Sequence, residues 1–468
     1  MANETDLLVL GGGPGGYAAA FAAADLGLSV ALVDAAENPG GVCLYRGCIP
    51  SKTLLHVAAV LRESREVAAF GVTFQDPQID LGALRAQKDS VVGKLTGGLG
   101  QLARQRKIKY LQGHGRFADP HRLTVDLAAG GASEISFRSA IIATGSLPRT
   151  LPALGLQSPR VWDSTAALEL REVPKRLLVI GGGYIGAELA TVYAALGSDV
   201  TVVEVTGGLL PGVDEDLVKP LAQRMGREMR VLLSTRVESL KETKDNLTAD
   251  LLLQDGTHEK LACDAVLVSV GRAPQTTGIG LDGLGIVPDE HGFIPVDAQR
   301  RTAVSHIYAI GDVAGQPMLA HKASYEGRVA AEAIAGQKSA YDPAAIPAVV
   351  FTDPEIAWAG LTERDAQREG IAVKVARFPW AASGRATSLG RADGVTKMIT
   401  ESESGRVLGI GIAGPGAGEL IAEGVLAIEM GAVAEDIART IHPHPTLSET
   451  VMEAAEGILG RSTHYFGR

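Results

Sequence analysis

Residues 7–34 read LLVLGGGPGGYAAAFAAADLGLSVALVD, and residues 177–204 read LLVIGGGYIGAELATVYAALGSDVTVVE. Aligned without a gap, 13 of the 28 positions are identical. Each copy runs from an apolar β-type stretch through a glycine turn into an alanine-rich helix, then into a second apolar strand ending on an acid. A strand-helix-strand unit therefore occurs twice. Each copy carries G-x-G-x-x-G: Gly11, Gly13 and Gly16, then Gly181, Gly183 and Gly186. The first glycine permits the tight turn, the second lets a pyrophosphate approach the backbone, and the third lets helix and strand close up. The helix N-terminus offers free N–H groups and a positive dipole end to phosphate. Asp34 and Glu204 each lie 21 residues after the middle glycine, where a carboxylate can accept hydrogen bonds from a ribose diol. Two dinucleotide sites on one chain point to a flavin nucleotide and a nicotinamide nucleotide. A carboxylate at Glu204 repels a 2′-phosphate, and no arginine follows in Val205–Leu210, so NAD is expected rather than NADP.

The rest of the composition narrows the class. The chain has 468 residues, enough for about three domains, and is 46% hydrophobic and 21% charged, as a packed globular protein is. With 44 basic and 54 acidic residues the formal charge is −10. An acidic surface without a basic tract disfavours nucleic acid and anionic membrane as partners. Residues 7–24 carry no charge, but their five glycines and one proline suit a buried strand-turn-helix rather than a membrane span. The start, MANETD, is acidic where an export signal needs basic residues, so a cytoplasmic location is expected.

Only three cysteines occur, Cys43, Cys48 and Cys263, too few for a disulfide framework. Cys43 and Cys48 lie in G-G-V-C-L-Y-R-G-C-I-P-S-K, Gly40 to Lys52. Five residues of ideal helix rise about 7.5 Å, beyond the roughly 7 Å that a disulfide spans between Cα atoms. If the two bond, the helix is distorted there, which Gly47 and Pro50 would suit. Redox chemistry is preferred over a zinc half-site, because no His/Cys pair nearby supplies two further ligands; no metal is expected. Cys263, in ACDAVLVSVG, reads as an inert core thiol.

The Gly40–Lys52 stretch resembles the redox-active signature of the flavin-dependent pyridine-nucleotide disulfide oxidoreductases. That resemblance implies FAD in the first site, with Gly41 among its contacts, and NAD in the second. It also implies that Cys48 faces the flavin and that Cys43 exchanges with substrate. Further stretches are similar along the whole chain. Ala143-Thr144-Gly145 resembles the turn closing the first FAD segment, with Thr144 and Gly145 as contacts. Val270–Pro274, containing Gly271, resembles the end of the NAD segment. Thr302 with Tyr308–Asp312 resembles the second FAD motif, in which Asp312 would hold the ribityl chain. Gly115 and Ala320 fall on FAD contacts, and Tyr184 falls where a side chain gates the nicotinamide pocket. Lys52 and Glu188 match a pair that sets a positive charge beside the flavin.

Near the end, I-H-P-H-P-T-L-S-E (Ile441 to Glu449) resembles the family's H-x-H-P-T-x-S-E. Oxidising a dithiol needs a base to form the attacking thiolate, and a histidine oriented by a carboxylate suits that task. The implied base is His444, held by Glu449, with His442 less suited. In the family this pair reaches the disulfide of the other subunit, which implies a homodimer. Gly315–Lys322, Phe351–Glu363, Phe378–Ala386 and Gly416–Gly424 make the resemblance closest to members that oxidise protein-bound dihydrolipoyl groups with NAD. The implied partner is a lipoylated carrier: a 2-oxo acid dehydrogenase complex, a glycine-cleavage carrier or a stand-alone lipoyl protein. Reduction of another small disulfide, or a role as a lipoyl-docking subunit, are the rival readings. One departure is the pair Tyr45-Arg46 between the cysteines, where the family most often has Asn-Val. Arg46 either lowers a neighbouring thiol's pKa or faces solvent.

The expected fold is α/β, with two Rossmann-like dinucleotide-binding domains (FAD and NAD) and a C-terminal α+β dimerisation domain. The expected boundaries are 1–147 for the first FAD segment, 148–275 for NAD, 276–345 for the returning FAD segment and 346–468 for the dimer interface.

Overall fold

The computed structural model describes residues 4–151, 154 and 158–466. Both copies of the repeat form the expected unit. Strand Glu4–Leu10, helix Pro14–Asp25 and strand Val30–Asp34 make the first; Arg176–Ile180, Tyr184–Ala195 and Asp199–Val203 make the second. Their strands read as unbroken apolar runs because parallel strands covered on both faces have no polar side. Leu7 to Leu10 and Leu177 to Ile180 are accordingly buried throughout.

The two halves share a topology. In the first, the parallel order is Lys109–Asp119, Val30–Asp34, Glu4–Leu10, Ala132–Ile142, Ile307–Ala309. In the second it is Arg230–Leu232, Asp199–Val203, Arg176–Ile180, Ala265–Val268, Val161–Trp162. Each half also carries an antiparallel three-stranded meander. In the first half Lys109–Asp119 and Ala132–Ile142 bend out of the parallel sheet to flank Arg122–Leu127. In the second the meander is separate: Arg236–Glu242, Leu247–Leu252 and His258–Cys263. The chain crosses between halves at Ser146–Pro148 and returns at Arg272–Pro274, and these two short strands pair antiparallel. Cys263 ends the second meander, is buried, and its thiol is pushed up to about 11 by burial first.

A third, wholly antiparallel sheet runs Ala348–Val350, Ile356–Gly360, Val407–Ala413, Val395–Glu401, Val373–Pro379. Helices Ala417–Glu429, Ala434–Arg439 and Glu449–Ile458 accompany it, sharing an apolar core around Trp380 and Ile410. Before it, helix Ala320–Ile334 packs along Pro14–Asp25. A Cβ at Gly327 would meet Gly15 O at 2.5 Å, so only glycine permits this approach. No helix among the described residues is long and apolar enough to cross a membrane.

Candidate active site

The glycines of each repeat divide by what crowds them. A Cβ at Gly16 would fall 1.8 Å from Gly11 O, and one at Gly186 would fall 2.0 Å from Gly181 O. Gly11 and Gly181 have φ of +106° and +109°, where a side chain is strained. These four are fixed by the protein itself. The middle glycines are not: a Cβ at Gly183 would meet nothing within 4 Å, and one at Gly13 only Gly41 Cα at 4.0 Å. Both cap their helices without any side-chain cap, so no side chain occupies the first-turn N–H groups. A cradle that glycine keeps open, lined by unpartnered N–H donors, fits a pyrophosphate in both halves.

The acids also behave alike. Asp34 Oδ2 accepts from Gly12 N at 2.6 Å, and Glu204 Oε2 accepts from Gly182 N at 2.6 Å. Each carboxylate thereby fastens its second strand to its glycine loop. Asp34 Oδ1 takes the Ala36 N–H, while Glu204 Oε1 takes the N–H and hydroxyl of Thr206, each at 2.8 Å.

The redox stretch hangs on the first loop. Gly40 N donates to Gly12 O at 2.7 Å. Gly41 has φ +58°, and a Cβ there would strike Gly13 Cα at 2.5 Å. Helix Gly41–Arg46 carries Cys43, and helix Cys48–Glu66 begins on Cys48. The helix is interrupted at Gly47, the distortion expected if the two cysteines bond; a Cβ there would come within 2.9 Å of Val42 O. Cys43 and Cys48 lie close enough across the Gly47 break to act on each other's ionisation. The contact splits them. Receiving the Cys43 hydrogen bond, and with Lys52 nearby, the Cys48 thiol is lowered to about 7 against partial desolvation, although the residue is exposed at the surface of this chain. Cys43 is raised by that same bond, by burial and by the charge on Cys48. Lys52, not Arg46, is the cation acting on Cys48; Arg46 is exposed and faces solvent. Tyr45 hydroxyl accepts from Asn38 N at 3.2 Å and donates to Asn38 O at 3.0 Å, so this departure pins the loop before the cysteines.

Lys52 and Glu188, 136 residues apart, meet at 2.9 and 3.1 Å. Glu188 is 4% exposed. Its other partners are Ser51 Oγ at 3.0 Å and Phe351 N at 3.0 Å, and the Phe351 ring lies 4.5 Å below the Lys52 ammonium. The buried carboxylate thus joins the redox helix, the second repeat and the start of the third sheet, and its charge is fully compensated.

Tyr184 is the first residue of its helix, partly exposed, and burial first raises its hydroxyl pKa against the opposing Arg272 charge. Asp312 accepts from Ser146 Oγ at 2.5 Å, and Arg272 donates to Ser146 Oγ at 2.7 Å. Thr144 Oγ1 donates to Gln275 O at 2.6 Å, so its hydroxyl proton is used in closing the crossover. Gly145 and Gly271 flank that crossover with φ of +75° and +112°. A Cβ at Gly115 would strike Leu10 Cδ1 at 2.6 Å, a packing reason for that glycine. Ala320 is the first residue of its helix. Beyond it, Glu326 is fully buried, held by Arg300 at 2.7 Å and Lys322 at 3.1 Å, and accepts from Gly311 N at 2.6 Å. This network supports the Gly311-Asp312 turn and was not anticipated from sequence, nor were Ser51, Phe351 and Ser146.

His444 Nδ1 lies 2.8 Å from Glu449 Oε1, and Glu449 Oε2 accepts from Thr446 N at 2.8 Å. Burial pushes Glu449 up, but the Thr446 N–H and the His444 ring outweigh it and hold the carboxyl below its ordinary range. His444 is 73% exposed. Both ring nitrogens of His442 are engaged, with Thr440 O and Glu423, each at 2.8 Å. Of the two, only His444 has no hydrogen-bond partner on Nε2 among the described residues. Within one chain, no described hydrogen bond or ion pair joins His444 or Glu449 to the cysteines. Beside them Leu426, Met430 and Ile441 are strongly exposed, as residues of a surface that a second subunit covers would be.

Residues 5–327 match the family described as pyridine nucleotide-disulphide oxidoreductase, and residues 346–455 match its dimerisation domain. Dihydrolipoyl dehydrogenase of Vibrio parahaemolyticus is 48% identical over 460 residues, covering 98% of this chain and 97% of the relative. That of Haemophilus influenzae is 48% identical over 466 residues, covering 98% and 96%. Among solved structures, LpdA from Mycobacterium tuberculosis superposes with a TM-score of 0.90 at 28% identity, covering 97% of this chain and 99% of that one. RclA from Escherichia coli, titled an HOCl-induced flavoprotein disulfide reductase, gives 0.86 at 28% identity, covering 96% and 99%.

Proposed function

The chain belongs to the pyridine nucleotide-disulphide oxidoreductase family, and from that premise we propose which of its residues carry the chemistry. It oxidises dihydrolipoyl groups to lipoyl disulfide and reduces NAD, with FAD as the second cofactor, and it does so as a homodimer. Bound FAD supplies the two-electron relay between the protein dithiol and NAD. Gly11, Gly13, Gly16, Asp34, Gly41, Gly115, Thr144, Gly145, Asp312 and Ala320 would hold it, and Lys52 would set its charge beside it. Gly181, Gly183, Tyr184, Gly186, Glu204 and Gly271 would hold NAD.

His444 of the partner subunit takes the proton of one dihydrolipoyl thiol on Nε2. The resulting thiolate attacks Cys43 of the oxidised pair, forming a mixed disulfide and expelling Cys48 as thiolate. The second substrate thiol then displaces Cys43, lipoyl disulfide leaves, and the two electrons and a proton stay on the cysteine pair. The split between the two thiols supports this order of roles: Cys48, the lowered one, is the better leaving group, and Cys43, the raised one, takes the proton. Glu449, ionised and tied to Thr446, orients the imidazole and supports its charged form.

The observation that carries the reading is the cysteine pair, split by Gly47, pinned to the first glycine loop and flanked by the Lys52–Glu188 pair. We propose a lipoylated carrier protein as physiological partner, a cytoplasmic location, and the domain division 1–147, 148–275, 276–345 and 346–468. Turnover of the FAD-loaded dimer on free dihydrolipoamide and on dihydrolipoylated carriers tests the reading; inertness toward all of them would end it. Run in reverse, with lipoamide as acceptor, NADH should outperform NADPH by about a hundredfold, the scale of a like-charge contact with Glu204. An NADPH preference would refute the role given to Glu204.

A further inference from the structure

Glu449 and Glu453 are four residues apart on the helix Glu449–Ile458, and therefore neighbours on one face. Each is paired with a histidine Nδ1: Glu449 with His444 at 2.8 Å, Glu453 with His464 at 2.5 Å. The chain doubles back after the helix to make the second pair. Ser462 Oγ and Thr463 N donate to Glu453 Oε2 at 2.6 and 3.1 Å, and Arg461 Nη2 reaches Glu435 at 2.7 Å. Tyr465 then meets Phe378 edge-on, with ring centroids 6.4 Å apart. Glu453 is 3% exposed, so its partner is fixed by a buried acceptor.

We propose that His464 is a positioning residue for the base: its charge, held against Glu453 one turn from Glu449, offsets the carboxylate that orients His444 and so sets where dithiol oxidation fails on acidification. This rests on the assignment of His444 as the base. The Glu453 hydrogen bond, followed by the fields of Glu453, Glu449 and Glu456, holds His464 above the ordinary histidine range. Reciprocally, His464 is among the charges that hold Glu449 down. The other cations nearby are engaged or turned away. Arg461 and Arg439 share Glu435. On the strands packed against the helix, Arg377 and Lys397 are paired with Asp214, Asp216 and Glu363, and Lys374 is exposed.

The sign follows. Glu449 favours protonation of the His444 ring, and a cation at His464 opposes it. Removing that cation leaves Glu449 unopposed, and the acid limb of dithiol oxidation moves to higher pH. A unit charge acting through mostly solvent shifts the limb by about half a pH unit.

The test is kcat/KM for dihydrolipoamide against pH in the FAD-loaded dimer, with Tm recorded on the same samples. The chains are wild type, His464→Gln, His464→Lys and a truncation after Thr463. His464→Gln and the truncation should move the acid limb up by about half a unit, an about threefold loss well below its midpoint. His464→Lys should restore it. A limb unmoved in His464→Gln and in the truncation, whatever happens to Tm, would reduce His464 to a pin for the tail and overturn the proposal. So would a Lys variant displaced as far as the Gln variant. His444→Gln is run alongside: if it keeps the wild-type limb, the base assignment falls and the proposal with it, a result distinct from any ordering among the His464 chains.

Discussion

Cys43→Ser should lose dihydrolipoamide oxidation by more than about a thousandfold, as expected when the exchanging nucleophile is removed. The substitution is nearly isosteric and keeps a donor: a serine hydroxyl can still donate to the Cys48 sulfur, the interaction that leads the lowering of Cys48. Helix Gly41–Arg46, the Gly47 break and the Lys52–Glu188 pair do not depend on the Cys43 sulfur. What disappears is the sulfur assigned to the mixed disulfide with substrate, and with it the Cys43–Cys48 redox pair. NADH-to-dye turnover bypasses that atom and should stay within about threefold of wild type. Steady-state assays of both reactions on one preparation check the split. Lipoyl turnover surviving in Cys43→Ser would move the exchange role to another residue.

His444→Gln should slow dithiol oxidation by about a hundredfold or more, the usual cost of losing a positioned base. Glutamine keeps a polar group that can face Glu449 but cannot accept and hold the thiol proton. The acid limb should go with it. Glu449 is held below its ordinary range, so its stabilising charge is present above the usual carboxylate pKa and is lost only as pH falls through the depressed value. It therefore does not produce a limb near neutrality, where an imidazole titrates. Single-turnover reduction of the holoenzyme by dihydrolipoamide, followed across pH, separates this step from hydride transfer. A loss smaller than about threefold would reassign the base, although His442, with both nitrogens engaged, is poorly placed to replace it.

The parts of the fold legible beforehand are those with local signatures. Leu7–Asp34 and Leu177–Glu204 announce themselves because buried parallel strands read as apolar runs and because Gly16 and Gly186 must meet the carbonyls of Gly11 and Gly181. The break between the cysteines was legible from spacing once the two were expected to bond, since an unbroken helix places Cys43 and Cys48 too far apart for a disulfide. The Lys52–Glu188 pair was not: each is an ordinary charge on its own helix, and only resemblance singled them out. Ser51 and Phe351 escaped for the same reason, as Phe351 reaches Glu188 through a backbone N–H that no side-chain pattern encodes. The Arg300–Lys322–Glu326 cluster and the His464–Glu453 pair likewise join residues whose meeting depends on tertiary packing. Tyr45 was visible as a departure but not as a staple, because Asn38 offers it only backbone atoms.

The most direct test of the central claim is to locate the first two electrons. The oxidised, FAD-loaded dimer is mixed anaerobically with one equivalent of dihydrolipoamide per protomer, without NAD, then acid-quenched, alkylated and mapped by mass. Two new alkylated thiols per protomer, at Cys43 and Cys48, are predicted, with Cys263 unchanged. Oxidation of the dihydrolipoamide with Cys43 and Cys48 still joined and unalkylated would show that the electrons take another route.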